Sequence, residues 1–187
     1  IKTGITWIRA AGMATLFEHN DAAAFFNLSA DASFQDYTKT GQPVFINSVS
    51  KTLQEIKAPK NVIRLNGWSG FLQRPVWEIA GNPDAGHYAV LEALQKKSFV
   101  TPDEPGFISA RIISMIINEA FFAKEENIST EDEIDIAMKL GTNYPNGPFE
   151  WSRQIGAKNI YDLLVSLYKN DSRYKPSSLL LQKVTNP

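Results

Sequence analysis

The feature that most constrains this chain is a change of hydrophobic period between Pro102 and Pro105. Before it, short apolar runs at Ile5–Ile8, Ala24–Leu28, Val44–Ser48, Val62–Leu65 and Val76–Ala80 alternate with loop or helix-like segments. Runs of that length, rich in β-branched and aromatic residues, read as strands. Being apolar along most of their length, they suit a parallel sheet covered on both faces. A helix is expected over Ala10–His19, where Ala, Met and Leu favour it and Asn20-Asp21 ends it. Beyond Pro105 no strand pattern remains. The reading is α/β followed by all-α: residues 1–102 a shortened α/β layer, residues 103–187 a helical domain.

The helical half carries its own punctuation. Phe107 to Phe122 is apolar nearly all round and predicts a central buried helix, within which Asn118 and Glu119 need polar partners if buried. Ser129-Thr130-Glu131-Asp132-Glu133 offers two overlapping capping boxes before a helix that Gly141 is expected to stop. Gly147-Pro148 restarts a helix with Pro in its first turn, and Gly156 is placed to end it. Ile160, Leu163, Leu164, Leu167 and Tyr168 form one stripe, and Pro176 opens a last helix.

Composition narrows the function classes. Nineteen basic against twenty acidic residues give a formal charge of −1, which supplies no field for gathering nucleic acid or an anionic membrane. The absence of cysteine removes disulfides, thiolate catalysis and Cys-ligated zinc. No apolar run approaches the roughly twenty residues that span a bilayer. The N-terminus lacks a secretion pattern, so the cytoplasm is the expected compartment. Residue 1 is Ile rather than Met, which leaves open what precedes it. His19 and His87, the only histidines, have no second ligand at a metal or triad spacing and are expected at the surface. Asp31, Asp36, Glu131, Asp132, Glu133 and Asp135 are explained by helix capping and solvation rather than metal binding.

Two motifs go further. DEPGFISARI at Asp103–Ile112 and AMKLGTNYPNGPFEW at Ala137–Trp151 resemble, in order and spacing, two hallmarks of the C-terminal helical domain of 3-hydroxyacyl-CoA dehydrogenases. The resemblance implies a truncated Rossmann-like layer before that domain, an acyl-CoA ligand, NAD as cofactor if the dehydrogenase chemistry holds, and a homodimer through the helical domain. It also implies a dyad in which a His takes the hydroxyl proton and a Glu orients it. Laying the family's L-H-F-F-N-P on Leu65–Gly70 puts Asn66 at the His position, and Glu78 follows twelve residues later at the spacing of the acid. An amide has no titration near neutral pH, so the pair predicts impaired catalysis. The family's substrate-contacting Asn positions hold Ser69 and Ala110, Arg111 matches, and Ser50 in Asn47–Lys51 aligns with a substrate-touching hydroxyl. No G-x-G-x-x-G turn stands anywhere in the sequence, and Gly67-Trp68-Ser69-Gly70 does not replace it. Three functions follow: an acyl-CoA-binding or regulatory dimeric relative, an active NAD-dependent oxidoreductase whose nucleotide site is supplied by missing residues or another chain, or a purely structural partner that dimerises or docks onto an active dehydrogenase with no ligand of its own.

Overall fold

The computed structural model describes residues 4–9, 19, 21–29 and 37–186. The chain divides into two compact units, Ile1–Phe107 and Ile108–Pro187. In the first, strands β1 (Phe25–Asn27), β2 (Val44–Asn47), β3 (Val62–Leu65), β4 (Val76–Ala80) and β5 (Lys97–Thr101) form one sheet in chain order. Every residue of β2 and β3 is buried, as a doubly covered strand requires. Phe25, Tyr37, Val44, Ile46 and Val62 pack on one face. Phe45, Ile63, Leu65, Trp77, Ile79 and Leu91 pack on the other, so successive residues of each strand serve opposite cores.

Several expectations need correction. Residues 5–8 form no strand. The Ala10–His19 helix lies, but for His19, outside the described residues. The sheet is mixed: β1, β2 and β3 run parallel, but β4 is antiparallel to β3. The link over residues 66–75 contains no helix and is too short for a crossover, so the chain can only turn back. β5 then pairs parallel with β4 across helix α1 (Ala85–Ala93). His87, expected at the surface, is fully buried. It stands third in α1 after the N-cap Asp84 and completes a capping box, its Nδ1 2.8 Å from Asp84 Oδ1 and its Nε2 3.1 Å from Asn61 O. His19 is half-buried.

Arg64 is the largest side chain with no solvent exposure. Its Nε donates to Ser48 O at 2.7 Å, Nη1 to Asp103 Oδ1 at 2.6 Å and Nη2 to Val49 O at 3.3 Å. Both Nη atoms also reach Glu104 O at 3.2 Å, and the guanidinium lies 4.7 Å over the Phe107 ring. Burial pushes the guanidinium below the ordinary arginine pKa, and the Asp103 contact opposes that shift. Asp103 also accepts Leu53 N–H at 2.9 Å, and Gly106 N–H donates to Val49 O at 2.8 Å.

The second unit holds α2 (Ser109–Glu125), α3 (Glu131–Thr142), α4 (Pro148–Ile155), α5 (Ala157–Tyr168) and α6 (Ser178–Thr185). α2 begins after Phe107, whose φ of 49° follows the Pro105-Gly106 turn and is not helical. Asn118 is buried and does find partners: it donates to Lys175 O and accepts Ser177 N–H, each at 2.9 Å, while Glu119 is exposed. Thr130 and Glu133 form the capping box of α3. That helix passes through Gly141 and ends at Asn143, which takes the left-handed conformation instead. Asp135 is not solvated. It is buried and caps the neighbouring α4, accepting Phe149 N–H at 2.7 Å and Glu150 N–H at 3.1 Å, with Arg153 Nη2 at 3.2 Å. A Cβ at Gly147 would lie 2.3 Å from Asp135 Oδ1, so the Gly of G-P-F makes room for this cap.

These contacts yield two expectations for stability. Replacing Asp103 with Ala leaves the Arg64 charge buried with its ion-pair carboxylate removed, and should lower the unfolding free energy by roughly 3–5 kcal/mol. An Arg64→Met/Asp103→Leu double variant measured in the same urea titration should lose less than the Asp103 single variant. Hydroxyl and backbone hydrogen bonds hold the Glu133 carboxyl below its ordinary range, and Lys139 with Gly147 N–H does the same for Glu150. Folding therefore favours their ionised forms. The gain is complete above the unfolded carboxyl pKa of about 4.3 and is lost as pH falls through the lower folded values. The urea midpoint should drop on acidification across that window, and less steeply in Glu133→Gln.

Candidate functional site

The carboxyl ends of β2 and β3 converge where an open α/β sheet places its ligands. Asn66 follows the last residue of β3 and is nearly buried at 4% exposure. Its backbone N–H donates to Glu78 O at 3.1 Å, extending the antiparallel ladder by one step. Opposed residues of adjacent strands project to one face, so the side chains meet there: Asn66 Nδ2 donates to Glu78 Oε2 at 3.1 Å. Trp68 N–H approaches Asn66 Oδ1 at 3.4 Å, which fixes the amide with its nitrogen toward the acid. The two residues paired by the resemblance are therefore in contact, with Glu78 half-buried.

A third residue joins them that the sequence reading passed over. Asn47, the last residue of β2, is 4% exposed and accepts Gly67 N–H at 3.1 Å through Oδ1. Its side chain fills the space beside Gly67, where a Cβ would come within 2.8 Å of Asn47 Cγ. The turn after β3 is thus clamped by β2 on one side and β4 on the other. The available signal was a polar residue ending an otherwise apolar strand, followed twenty residues later by Asn-Gly at the next strand end.

The other candidates are placed as follows. Ser69 is exposed on the turn that carries Asn66 and buried Trp68. Ser50 is half-buried in the bend after β2, a bend braced by Ser48 Oγ donating to Lys51 O at 2.9 Å. Ala110 and Arg111 open α2 in the second unit: Ala110 is fully buried, and Arg111 is half-buried with its guanidinium 5.9 Å from the Tyr174 ring centroid.

What this arrangement can do is directional. The Asn66 amide is oriented by a carboxylate and can donate to or accept from a carbonyl compound, but it has no proton to exchange near neutrality. A dinucleotide fits poorly among the described residues. Its pyrophosphate needs glycine at a strand end so that backbone amides can close on it, and the glycine at the β3 end is covered by Asn47. No group of three or more His, Cys, Asp or Glu able to hold a metal stands among the described residues. No helix among them is long and apolar enough to cross a membrane.

Comparison with known proteins bears on the identity of the fold and site. Residues 106–187 match the family described as 3-hydroxyacyl-CoA dehydrogenase, C-terminal domain. The 3-hydroxyadipyl-CoA dehydrogenase of Escherichia coli strain K12 is 39% identical over 167 residues, 86% of this chain and 35% of that protein. The 3-hydroxybutyryl-CoA dehydrogenase of Bradyrhizobium diazoefficiens is 38% identical over 93 residues, 49% of this chain and 32% of its own length. This chain thus spans about a third of the curated relatives it matches. Among solved structures, 3-hydroxybutyryl-CoA dehydrogenase from Escherichia coli K12 superimposes with a TM-score of 0.64 at 33% identity, over 75% of this chain and 31% of that one. The (S)-3-hydroxybutyryl-CoA dehydrogenase of Ralstonia eutropha shares the fold at a TM-score of 0.72 and 23% identity, over 90% of this chain and 67% of that one. Residues 106–187 are therefore a 3-hydroxyacyl-CoA dehydrogenase C-terminal domain, and the chain as a whole is similar to part of the 3-hydroxyacyl-CoA dehydrogenases.

Proposed function

We propose that this chain binds an acyl-CoA thioester at the Asn66–Glu78 pair without running hydride transfer itself, and that it works as a homodimer through its helical unit. The observation that carries this reading is the hydrogen bond from Asn66 Nδ2 to Glu78 Oε2. It reproduces the contact a His–Glu dyad makes, with an amide that cannot act as general base. A carbonyl needs only hydrogen-bond donors to be held, and a nearly buried amide oriented by an acid supplies one. Ser69, exposed on the same turn, and Ser50 after β2 are the further polar groups assigned to the ligand. The buried clamp of Asn47 on Gly67 is a second reason for assigning no nicotinamide cofactor to this chain.

A second reading has one observation in its favour. Because the chain spans about a third of its matched relatives, a nucleotide site contributed by other residues or another chain would sit outside it. That reading makes Glu78 and Arg111 parts of an active NAD-dependent oxidoreductase.

Tryptophan fluorescence separates the two, since Trp68 lies two residues from Asn66 and Trp77 adjoins Glu78. Saturable quenching by acetoacetyl-CoA, no quenching by NADH and no acetoacetyl-CoA-dependent oxidation of NADH are the expected results. Changing Asn66 and Glu78 together to Ala should weaken thioester binding by roughly fivefold to tenfold, the worth of one buried hydrogen bond to a neutral carbonyl. Unchanged affinity in the double variant would sink the assignment. Quenching by both ligands with NADH turnover would establish the second reading in its place.

A further inference from the structure

Strand β5 closes one end of the sheet and pairs with β4 alone. Lys97 N–H donates to Pro75 O at 3.0 Å, which sets the phase of the parallel ladder. Residues 97, 99 and 101 turn their backbone groups to β4, and Ser98 and Val100 turn theirs outward. No hydrogen bond reaches those outward groups among the described residues. The side chains are open as well. Phe99, registered with Glu78, is 53% exposed on one face of the sheet, and Val100, registered with Ile79, is 45% exposed on the other.

Protein sheet edges are commonly blunted by proline, a bulge or an inward-pointing charge. β5 has none of these: its single charged residue is Lys97 at the first position, and its register with β4 is unbroken over all five residues. A small ligand would cover one face. A strand laid along the edge covers both and also meets the outward backbone groups, so the chemistry of this edge fits an added strand.

The strand is its own complement. Paired antiparallel with a second copy about Phe99, Ser98 of each copy stands opposite Val100 of the other, and the two pairs exchange both of their backbone hydrogen bonds. Phe99 then meets Phe99 at the non-hydrogen-bonded position, where opposed side chains lie closest and an aromatic pair forms. Lys97 stands opposite Thr101, so no like charges are opposed. Neighbouring registers do worse. Centring on Val100 sets Ser98 against Pro102, which has no N–H to give. Centring on Ser98 sets Val100 against Lys96, whose Nζ is already held by Leu72 O and Arg74 O.

We infer that β5 is the contact through which a second copy of this chain joins antiparallel across a two-fold axis, running two five-stranded sheets into one. The contact uses no residue of the helical unit, so a dimer formed there is a separate association.

The chain has no cysteine, so single cysteines report the register. In the full chain under mild oxidation, Phe99→Cys should link to its own copy, because residues so opposed lie about 4.5 Å apart between Cα atoms, within disulfide reach. Lys97→Cys should stay unlinked, since residue 97 of one copy lies about 13 Å along the strand from residue 97 of the other. Phe99→Lys sets like charges face to face at an exposed position. It should raise the dissociation constant of this association about tenfold in sedimentation equilibrium, with the circular dichroism of the folded chain unchanged. Absence of linking at residue 99, or linking at residue 97 as fast as at 99, overturns the inference. So does an assembly whose mass Phe99→Lys leaves unchanged, which would assign the edge to a strand other than its own copy.

Discussion

The first unit is organised around a charge that has no business in a sheet interior unless every donor is met. Arg64 occupies the third position of β3, between residues fully committed to the core. Removing a guanidinium from water costs several kcal/mol, and only good hydrogen-bond geometry offsets it. Here the bend after β2 gives two carbonyls and the segment after β5 gives a carboxylate and a third carbonyl. Satisfying one side chain thus fixes the two segments that wrap the buried end of that sheet face. The bend at residues 48–51 is held from within by Ser48 and from outside by Arg64, so the segment that carries Ser50 is positioned by a residue inside the sheet.

That dependence explains much of what the sequence did and did not disclose. β2, β3 and β4 were legible because their signal is local: a short apolar run bounded by polar residues. The start of α4 was legible for the same reason, since Gly-Pro at a helix start is local chemistry. β5 was missed because three of its five residues are exposed and its pattern is mixed. Its place is set by pairing with β4. Arg64 looked like a polar interruption in a strand, because its carboxylate partner lies 39 residues away. His87 has no metal or triad spacing in the sequence, yet it is buried at a helix start. The spacing that mattered was three residues back to Asp84, a capping box with an imidazole where Glu or Gln is usual.

The family motifs are explained by the fold before they are explained by catalysis. In the first motif, Asp103 is the carboxylate of Arg64 and Gly106 bonds the bend after β2. In the second, Gly147 leaves room for the Asp135 cap, and Phe149 and Trp151 are buried. None of these roles needs a substrate. A chain under pressure only to fold would keep them, which is why the motifs establish kinship so well and activity so poorly. The candidate site was legible through alignment of strand ends alone. The contact between Asn66 and Glu78 then follows from the antiparallel turn of β4, which the periodic pattern did not disclose.

The identity of the residue facing Glu78 decides how the turn after β3 is held. An apolar residue at position 66 would remove the hydrogen bond to Glu78 and leave the turn after β3 without the acceptor that Trp68 N–H approaches. Asparagine supplies both atoms: Nδ2 to the acid and Oδ1 to the turn. One amide thus provides a donor and an acceptor at this point with no titration near neutral pH. Gly67 and Asn47 then hold the same turn in register from β2. Three strands converge to orient one amide, and each of its buried polar atoms is met by a partner from a neighbouring strand or turn.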